Sequence, residues 1–178
     1  MTDVSEDEDV EDLAACARAG RPPRVHGPYR VLIGDEQLQY RSAIIADPVP
    51  TGRQLLELAG VHPVIDYSVF QVLTDGMLEQ LQLDETTDLR EHGVEKFLMF
   101  NSDRSFRFEL DGREFEWGAT FISGLTLKTF AGVDPKAYGV WQEVRGADDR
   151  PIADTEMVDL SARGVERFFT GIVQTTEG

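Results

Sequence analysis

The sequence predicts an α+β fold in which two similar domains follow one another. The first observation behind this prediction is an internal repeat, since strand-like, helix-like and strand-like stretches occur twice in the same order. The second is the pattern within the strands. Phe106, Phe108 and Leu110 alternate with charged residues, which is typical of a strand with one buried face. A chain of 178 residues is long enough for two small domains of this kind.

Each copy begins with a predicted β-hairpin. In the first copy, residues 29–33 and 38–40 flank a turn at Gly34-Asp35. In the second copy, residues 106–110 and 115–117 flank Asp111-Gly112, a pair of residues that favours a tight hairpin turn.

A helix follows the hairpin in each copy. Thr51 and Ser123 are suitable N-cap residues. Gly60 and Gly132 stand where the end of a helix favours a left-handed residue. A third strand, a short acidic connection and a closing strand complete each copy. The third strands are predicted at residues 67–73 and 138–144, and the closing strands at residues 93–97 and 164–169.

This order of elements is that of the ubiquitin-like β-grasp fold. Parallel pairing of the first and last strands, with the helix crossing one face, buries the helix compactly. We therefore predict a first β-grasp domain over residues 29–102 and a second over residues 103–178. Phe70, Trp117 and Trp141 are expected in the cores.

The N-terminal segment, residues 1–28, is predicted to be an acidic disordered tail and linker. Seven carboxylates precede its first basic residue, Arg18, and such a run repels itself and buries little. A short helix over residues 12–19 is compatible with the sequence, and the glycines and prolines after it favour a linker.

The net charge of −16 limits the classes of partner. It argues against binding to nucleic acid, which needs a basic surface, and against anionic membranes. No apolar run reaches the ~18 residues of a membrane helix, and the acidic N-terminus does not resemble a secretory signal. A single cysteine, Cys16, cannot form an internal disulfide, and it is either a reactive or an inert thiol. These features predict a cytoplasmic protein.

The sequence contains no recognisable catalytic or metal-binding motif. Its histidines are scattered, without the spacing of a zinc site, and no glycine-rich loop carries the Lys-Ser/Thr pair of a phosphate loop. Paired carboxylates such as Asp148-Asp149 are interpreted as a solvated face. We expect no metal, no cofactor and no enzymatic activity of the chain itself.

Three repeated motifs resemble those of the bacterial multiubiquitin family. They are Leu-x-x-(Leu/Phe)-Ala-Gly-Val, Tyr-x-Val-(Phe/Trp)-Gln and Asp-Leu-x-x-x-Gly-Val-Glu-(Lys/Arg)-Phe. The resemblance covers residues 29–178 and implies tandem β-grasp domains. It also implies a protein modifier whose partners are an E1-like activating enzyme, an E2-like conjugating enzyme and a deubiquitinase-like peptidase. The target is unknown, and a role in antiphage defence is implied by the resemblance alone.

The resemblance makes the last residues the candidate conjugation tail, residues 170–178. Activation needs a terminal carboxylate threaded through a narrow channel, and a residue without Cβ, here Gly178, passes most easily. Gly178 is either a native, a processed or a trimmed terminus. Glu177 replaces the penultimate glycine of ubiquitin, and Gln174 takes the place of an arginine, which argues against activation by a eukaryotic E1. The whole candidate segment comprises Gln174, Thr175, Thr176, Glu177 and Gly178.

Two further expectations concern the surroundings of the tail. Ile172 and Val173 are candidate contacts for E1 or E2, the alternative being simple packing. Residues 96–104, at the joint between the copies, contain no glycine, so we expect one two-domain modifier that is not cut into units. The alternative function is a β-grasp binding or scaffold module that is not conjugated.

Overall fold

The computed structural model describes residues 9–91 and 93–173, and their contacts divide the chain into two compact units, Met1–Asp103 and Arg104–Gly178. Each unit is a β-grasp domain, which confirms the predicted α+β class with two tandem repeats. Among the described residues, no helix is both long and apolar enough to cross a bilayer.

The first domain is a six-stranded mixed sheet covered by a helix. Its strands pair in the order β1-β2-β6-β4-β5, and β3 also pairs with β2, along the whole length of that strand. A 3₁₀ turn, Val64–Asp66, precedes β4. The elements are β1 (Glu11–Asp12), α1 (Leu13–Ala19), β2 (Tyr29–Gly34), β3 (Tyr40–Ile45), α2 (Gly52–Leu58), β4 (Ser68–Val72), β5 (Leu78–Leu81) and β6 (Lys96–Phe100).

The second domain repeats this plan without the N-terminal strand and helix. Its main sheet has the order β11-β10-β13-β7-β8, and β9 and β12 form a separate antiparallel pair. The elements are β7 (Phe106–Leu110), β8 (Arg113–Trp117), β9 (Phe121–Ser123), α3 (Gly124–Ala131), β10 (Tyr138–Gln142), β11 (Arg150–Ile152), β12 (Met157–Asp159) and β13 (Glu166–Ile172).

In each domain the last strand lies parallel to the first strand of the hairpin. Leu32 pairs with Lys96 in the first domain, and Phe108 pairs with Glu166 in the second. On its other side, β6 pairs antiparallel with β4, and β13 pairs antiparallel with β10. Each last strand is therefore hydrogen-bonded on both sides, at the centre of its sheet.

The predicted helix caps are confirmed. Thr51 forms a capping box with Gln54, and the Ser123 side chain accepts a hydrogen bond from the Thr126 amide at 3.0 Å. Gly132 adopts the left-handed conformation at the end of α3, with φ of 70°.

The second hairpin also turns as predicted. Asp111 and Gly112 have φ angles of 50° and 77°, as a two-residue type I′ turn requires. The first hairpin differs, because β3 begins only at Tyr40 and its turn is longer. Short strands β5 and β11, each added to the sheet edge, occupy part of what the sequence predicted as a connection.

Aromatic side chains fill the core of the second domain. Phe108 and Phe115 stack with their ring centroids 5.2 Å apart, and Phe130 from α3 contacts Trp117 edge-on at 5.5 Å. Trp117 is fully buried, and its indole N–H donates to the Phe121 carbonyl at 3.0 Å. A buried aromatic of this size contributes strongly to stability when its polar atom is also satisfied.

The prediction that residues 1–28 form a tail is wrong for the described part of that segment. Strand β1 pairs in parallel with the start of β2, and α1 packs Leu13 into the core of the first domain. Leu13 is 2% exposed and Cys16 1% exposed. Asp12 caps α1 by accepting a hydrogen bond from the Ala15 amide. The buried side chains of Leu13 and Cys16 thus make α1 part of the first domain.

A buried carboxylate, Glu11, holds this segment together. Its Oε1 accepts hydrogen bonds from the Cys16 thiol at 2.7 Å and from Arg21 at 2.5 Å, while Arg24 lies 2.7 Å from its Oε2. The bond from Cys16, together with the arginines, lowers the pKa of Glu11 against the opposing effect of burial. Burial, and then Glu11, raise the pKa of Cys16 to about 11. The thiol is therefore protonated at neutral pH, which favours the inert alternative.

Replacing Glu11 by Gln should loosen the first domain at neutral pH. Charge-assisted hydrogen bonds contribute about 2 kcal/mol, so amides of β2 should exchange roughly 30-fold faster at pH 7. Because the folded pKa of Glu11 is lowered, its stabilisation is present above pH 4.5 and is lost as the pH falls below it. The difference between wild type and Glu11→Gln should therefore shrink in acid. Hydrogen-exchange mass spectrometry measures both effects.

The matched control is Glu57→Gln on the exposed face of α2. Equal exchange in the two variants at pH 7 would show that the charge of Glu11 does not stabilise the domain.

Candidate functional site

The candidate site lies on the side of the second sheet that faces away from α3. Side chains alternate along its strands, so that Val140, Ile152 and Phe168 are buried in the core. The residues between them point outward. Trp141 lies directly opposite both Pro151 and Phe169 in the strand register. Directly opposite residues share one face of a sheet, so these three side chains lie side by side.

The Trp141 indole lies flat on two glycines and stacks on a neighbouring ring. Its ring and that of Phe169 are nearly parallel, at 12°, with centroids 5.7 Å apart. A Cβ added at Gly139 would come within 2.8 Å of the indole, and one at Gly171 within 3.2 Å. Larger residues at these two positions would lift the ring, so the glycines are what allow the stacked arrangement.

Val173 completes an apolar surface that we call the terminal face: Trp141, Pro151, Phe169 and Val173. A methyl group of Val173 lies only 3.0 Å from the position of a Cβ at Gly139, on the same side as the indole. Phe169 is 36% exposed and Val173 47% exposed. Exposed aromatic and aliphatic side chains in one patch are typical of a protein-binding surface.

Charged pairs occupy the other half of the same sheet surface. Arg167 lies 3.6 Å from Glu109, and Arg107 lies 3.6 Å from Glu114. These exposed pairs contribute little to stability. Their effect is to give the terminal face a polar border on the side of β7 and β8.

The structure separates the two residues that the sequence suggested as enzyme contacts. Val173 belongs to the terminal face. Ile172, which is 70% exposed, lies on the opposite side of the sheet because consecutive strand residues alternate. Val173 therefore has aromatic neighbours that would enlarge a contact, and Ile172 does not share them.

The prediction that the tail begins at Thr170 is wrong. Strand β13 continues to Ile172, opposite Tyr138, and the Val173 amide donates to the Ala137 carbonyl at 2.9 Å. Asp111 in the hairpin turn also holds Thr170, accepting from its amide at 2.8 Å and from its hydroxyl at 2.7 Å. The segment without strand pairing can begin only after Val173. The conjugation residues Gln174, Thr175, Thr176, Glu177 and Gly178 lie outside the described residues.

Sequence reasoning also misplaced Trp141, which was expected in the core. The indole is half-buried on the outer surface. The signal was present, because alternation places Val140 inward and therefore its neighbour outward. The size and apolar character of Trp141 suggested the core instead. The sequence analysis also did not single out Phe169, Gly139 or Gly171.

A cavity of about 710 Å³ lies at the other end of β10 and β13, lined among others by Arg145 and Arg163. Its lining also includes Gln142 and Arg167, which are close in sequence to Trp141 and Phe169 of the terminal face. Across residues 9–91 and 93–173, no cluster of three or more His, Cys, Asp or Glu side chains could hold a metal ion.

Fold and site together define a ubiquitin-like tandem module, in which two β-grasp domains are joined and the second leads from a central strand into the C-terminal residues. The family model for multiubiquitin matches residues 37–102 and 106–171, one match in each domain. The chain therefore belongs to the multiubiquitin family. No curated protein matches the chain.

Replacing Trp141 by Ala should cost much less stability than replacing Trp117 by Ala. We expect about 1–2 kcal/mol for Trp141, which is half-buried, and about 3–5 kcal/mol for Trp117, which is fully buried. Both tryptophans of the chain lie in the second domain, so the remaining one reports its unfolding in urea by fluorescence. Equal losses in the two variants would place Trp141 in the core and contradict its assignment to the terminal face.

Proposed function

We propose that this protein is a modifier of a bacterial ubiquitination-like pathway. Its Gly178 carboxylate is activated by an E1-like enzyme with ATP, passed to an E2-like enzyme and attached to a target. Family membership supports the class of module. The observation that carries the finer proposal is how the second domain ends. Its last strand is central in the sheet, is held by Asp111 and Ala137, and lies beside an exposed apolar face.

The number of residues that follow Val173, the last residue hydrogen-bonded to the sheet, suits this chemistry. Five residues follow Val173, and they can extend over roughly 16 Å at ~3.3 Å per residue. The Gly178 carboxylate would attack the α-phosphorus of ATP and release pyrophosphate. An E1 cysteine thiolate would then displace AMP, and an E2 cysteine would take over the thioester. The chain contributes the carboxylate and the docking surface, and the enzymes contribute the catalytic groups.

The terminal face is the proposed docking surface for these enzymes. Stacked aromatic rings bury much area with little loss of side-chain freedom, and such anchors dominate binding at protein interfaces. The net charge of −16 favours enzymes whose contact surfaces are basic. The anchored strand would set the distance between this contact and the reacting carboxylate.

The protein is proposed to act as one piece. Strand β6 is paired with both β2 and β4, so its backbone is engaged on both sides. The following residues, 101–104, contain no glycine at which a peptidase of a ubiquitin-like pathway would cut. A deubiquitinase-like peptidase would therefore act at the Gly178 linkage and leave the joint intact.

Activation can be tested with the cognate E1-like protein and ATP. The wild-type chain should give an adenylate and a thioester, visible as a reducible adduct by intact mass spectrometry. Deleting Gly178 should abolish both adducts without changing the thermal unfolding temperature. If the E1-like protein is active and no adduct forms, the modifier proposal fails. Unchanged cellular function after deletion of Gly178 would favour the alternative of a non-conjugated scaffold.

The terminal face can be tested in the transfer reaction. Trp141→Ala and Phe169→Ala should each lower the rate of E1 charging or E2 transfer at sub-saturating modifier by about tenfold or more, because each removes an anchor. Glu114→Ala, on the polar border of the same sheet surface, should stay within about twofold. Equal effects of all three changes would contradict docking through the aromatic pair.

A further inference from the structure

The N-terminal segment occupies one particular place in the sheet of the first domain. Tyr29 and Arg30, at the start of β2, pair in parallel with Glu11 and Asp12 of β1. Because β3 pairs along the whole of one edge of β2, β1 and β6 share the other edge. Strand β6 begins its pairing only at Leu32. Strand β1 therefore fills the part of this edge that β6 does not reach.

The matching edge of the second domain has no such strand. Strand β8 pairs along the whole of β7, and on the other edge β13 pairs with β7 only from Phe108 onward. At that edge, no strand of the described residues pairs with Phe106 or Arg107, which the repeat aligns with Tyr29 and Arg30. We call this stretch, residues 106–107, the open edge. An unpaired strand edge presents backbone N–H and C=O groups to which another segment can bind.

Apolar side chains beside the open edge are also more accessible than their counterparts. Tyr29 is fully buried, whereas Phe106 is half-buried. Val94 is 6% exposed and belongs to the same buried cluster as Leu13 of α1. Its counterpart Val165, just before β13, is 48% exposed. The apolar surface that β1 and α1 cover in the first domain is thus left accessible in the second.

The residues around the open edge favour an acidic ligand. In the first domain Arg30 lies 3.9 Å from the Asp12 carboxylate of β1. Its counterpart Arg107 lies 3.6 Å from Glu114 in a pair that is exposed on both sides. Arg163, which lines the cavity described above, forms no ion pair within the part of the chain that the structure describes. In a chain with a net charge of −16, cations placed in this way attract carboxylates.

We propose that the open edge is a docking site for a partner segment with the chemistry of residues 11–13, two acidic residues followed by leucine. The segment adds a short parallel strand to the start of β7, as peptides commonly do at free sheet edges. Its carboxylates meet Arg107 and Arg163, and its leucine covers Phe106 and Val165. This inference goes beyond the modifier function proposed above and does not depend on it.

The first domain supplies the template for this ligand. There the same three residues pair through their backbone, place Asp12 near Arg30 and bury Leu13 to 2% exposure. That segment is held in its own domain by the contacts of Glu11 with Arg21 and with the Cys16 thiol. Because it is occupied there, the open edge is left for a segment of another protein.

Binding can be tested with a fluorescein-labelled peptide that copies residues 9–20 with Cys16→Ser. Added to the full chain, it should give a saturable rise in fluorescence anisotropy. Val165→Asp and Arg107→Glu should each weaken binding by about tenfold or more, because one removes the apolar contact and the other reverses the charge. The matched control is Val173→Asp, since Val173 is 47% exposed, and it should stay within about twofold.

Thermal unfolding shows whether the variants fold, and since both sites are exposed, a variant that does not fold is replaced in the argument by the other. Three results would overturn the proposal: no saturation up to about 1 mM peptide, equal binding of a scrambled peptide, or equal weakening by Val165→Asp and Val173→Asp.

Hydrogen-exchange mass spectrometry locates the bound peptide. Amides of residues 106–108 should exchange more slowly with the peptide present, and those of residues 29–31 should not change. A change confined to residues 29–31 would place the peptide in the first domain and contradict the docking site. A dimer of the chain alone that Val165→Asp dissociates would give the open edge to a second copy, which also overturns the assignment to a partner.

Discussion

Each domain depends on the parallel pairing of its last strand with the first strand of its hairpin. Leu32 with Lys96, and Phe108 with Glu166, fix the last strand beside the first and between it and the third. The helix then has one sheet face to cover, and its apolar side forms the core. Because both edges of the last strand are paired, the residues that follow its buried core positions remain hydrogen-bonded in the sheet. The position of the chain end is thus a consequence of the pairing that stabilises the fold.

The two copies use this same pairing, but the sheet face away from the helix carries different side chains, which in the first domain are buried. At matching positions of the last strand, the first domain has Leu98 and Phe100, and the second has Phe169 and Gly171. Glycine at 171, with Gly139 across the strand pair, leaves room for the Trp141 ring to lie flat against Phe169. A repeat that conserves the core can therefore carry a distinct surface in one copy only. That surface adjoins the segment that leads to Gly178.

For the N-terminal segment, the charge pattern predicted a disordered tail, whereas burial of apolar side chains made it part of the fold. A run of carboxylates predicts self-repulsion, and the sequence was read accordingly as a tail. The fold instead brings Arg21 and Arg24, which come later in the chain, onto the Glu11 carboxylate. Local sequence cannot show that a later loop returns to neutralise an earlier charge. It did show the two apolar residues, Leu13 and Cys16, that gain from burial there.

The sequence by itself determined the two-domain β-grasp plan, the helix caps and the second hairpin turn, because these depend on local patterns: a repeat, alternation with period two, and residues suited to caps and turns. The terminal face needed the tertiary structure. Trp141, Phe169 and Val173 come from two strands, and only the antiparallel register of β10 with β13 sets them side by side. The end of the last strand needed it too, since the bonds from Asp111 and Ala137 join residues far apart in the chain.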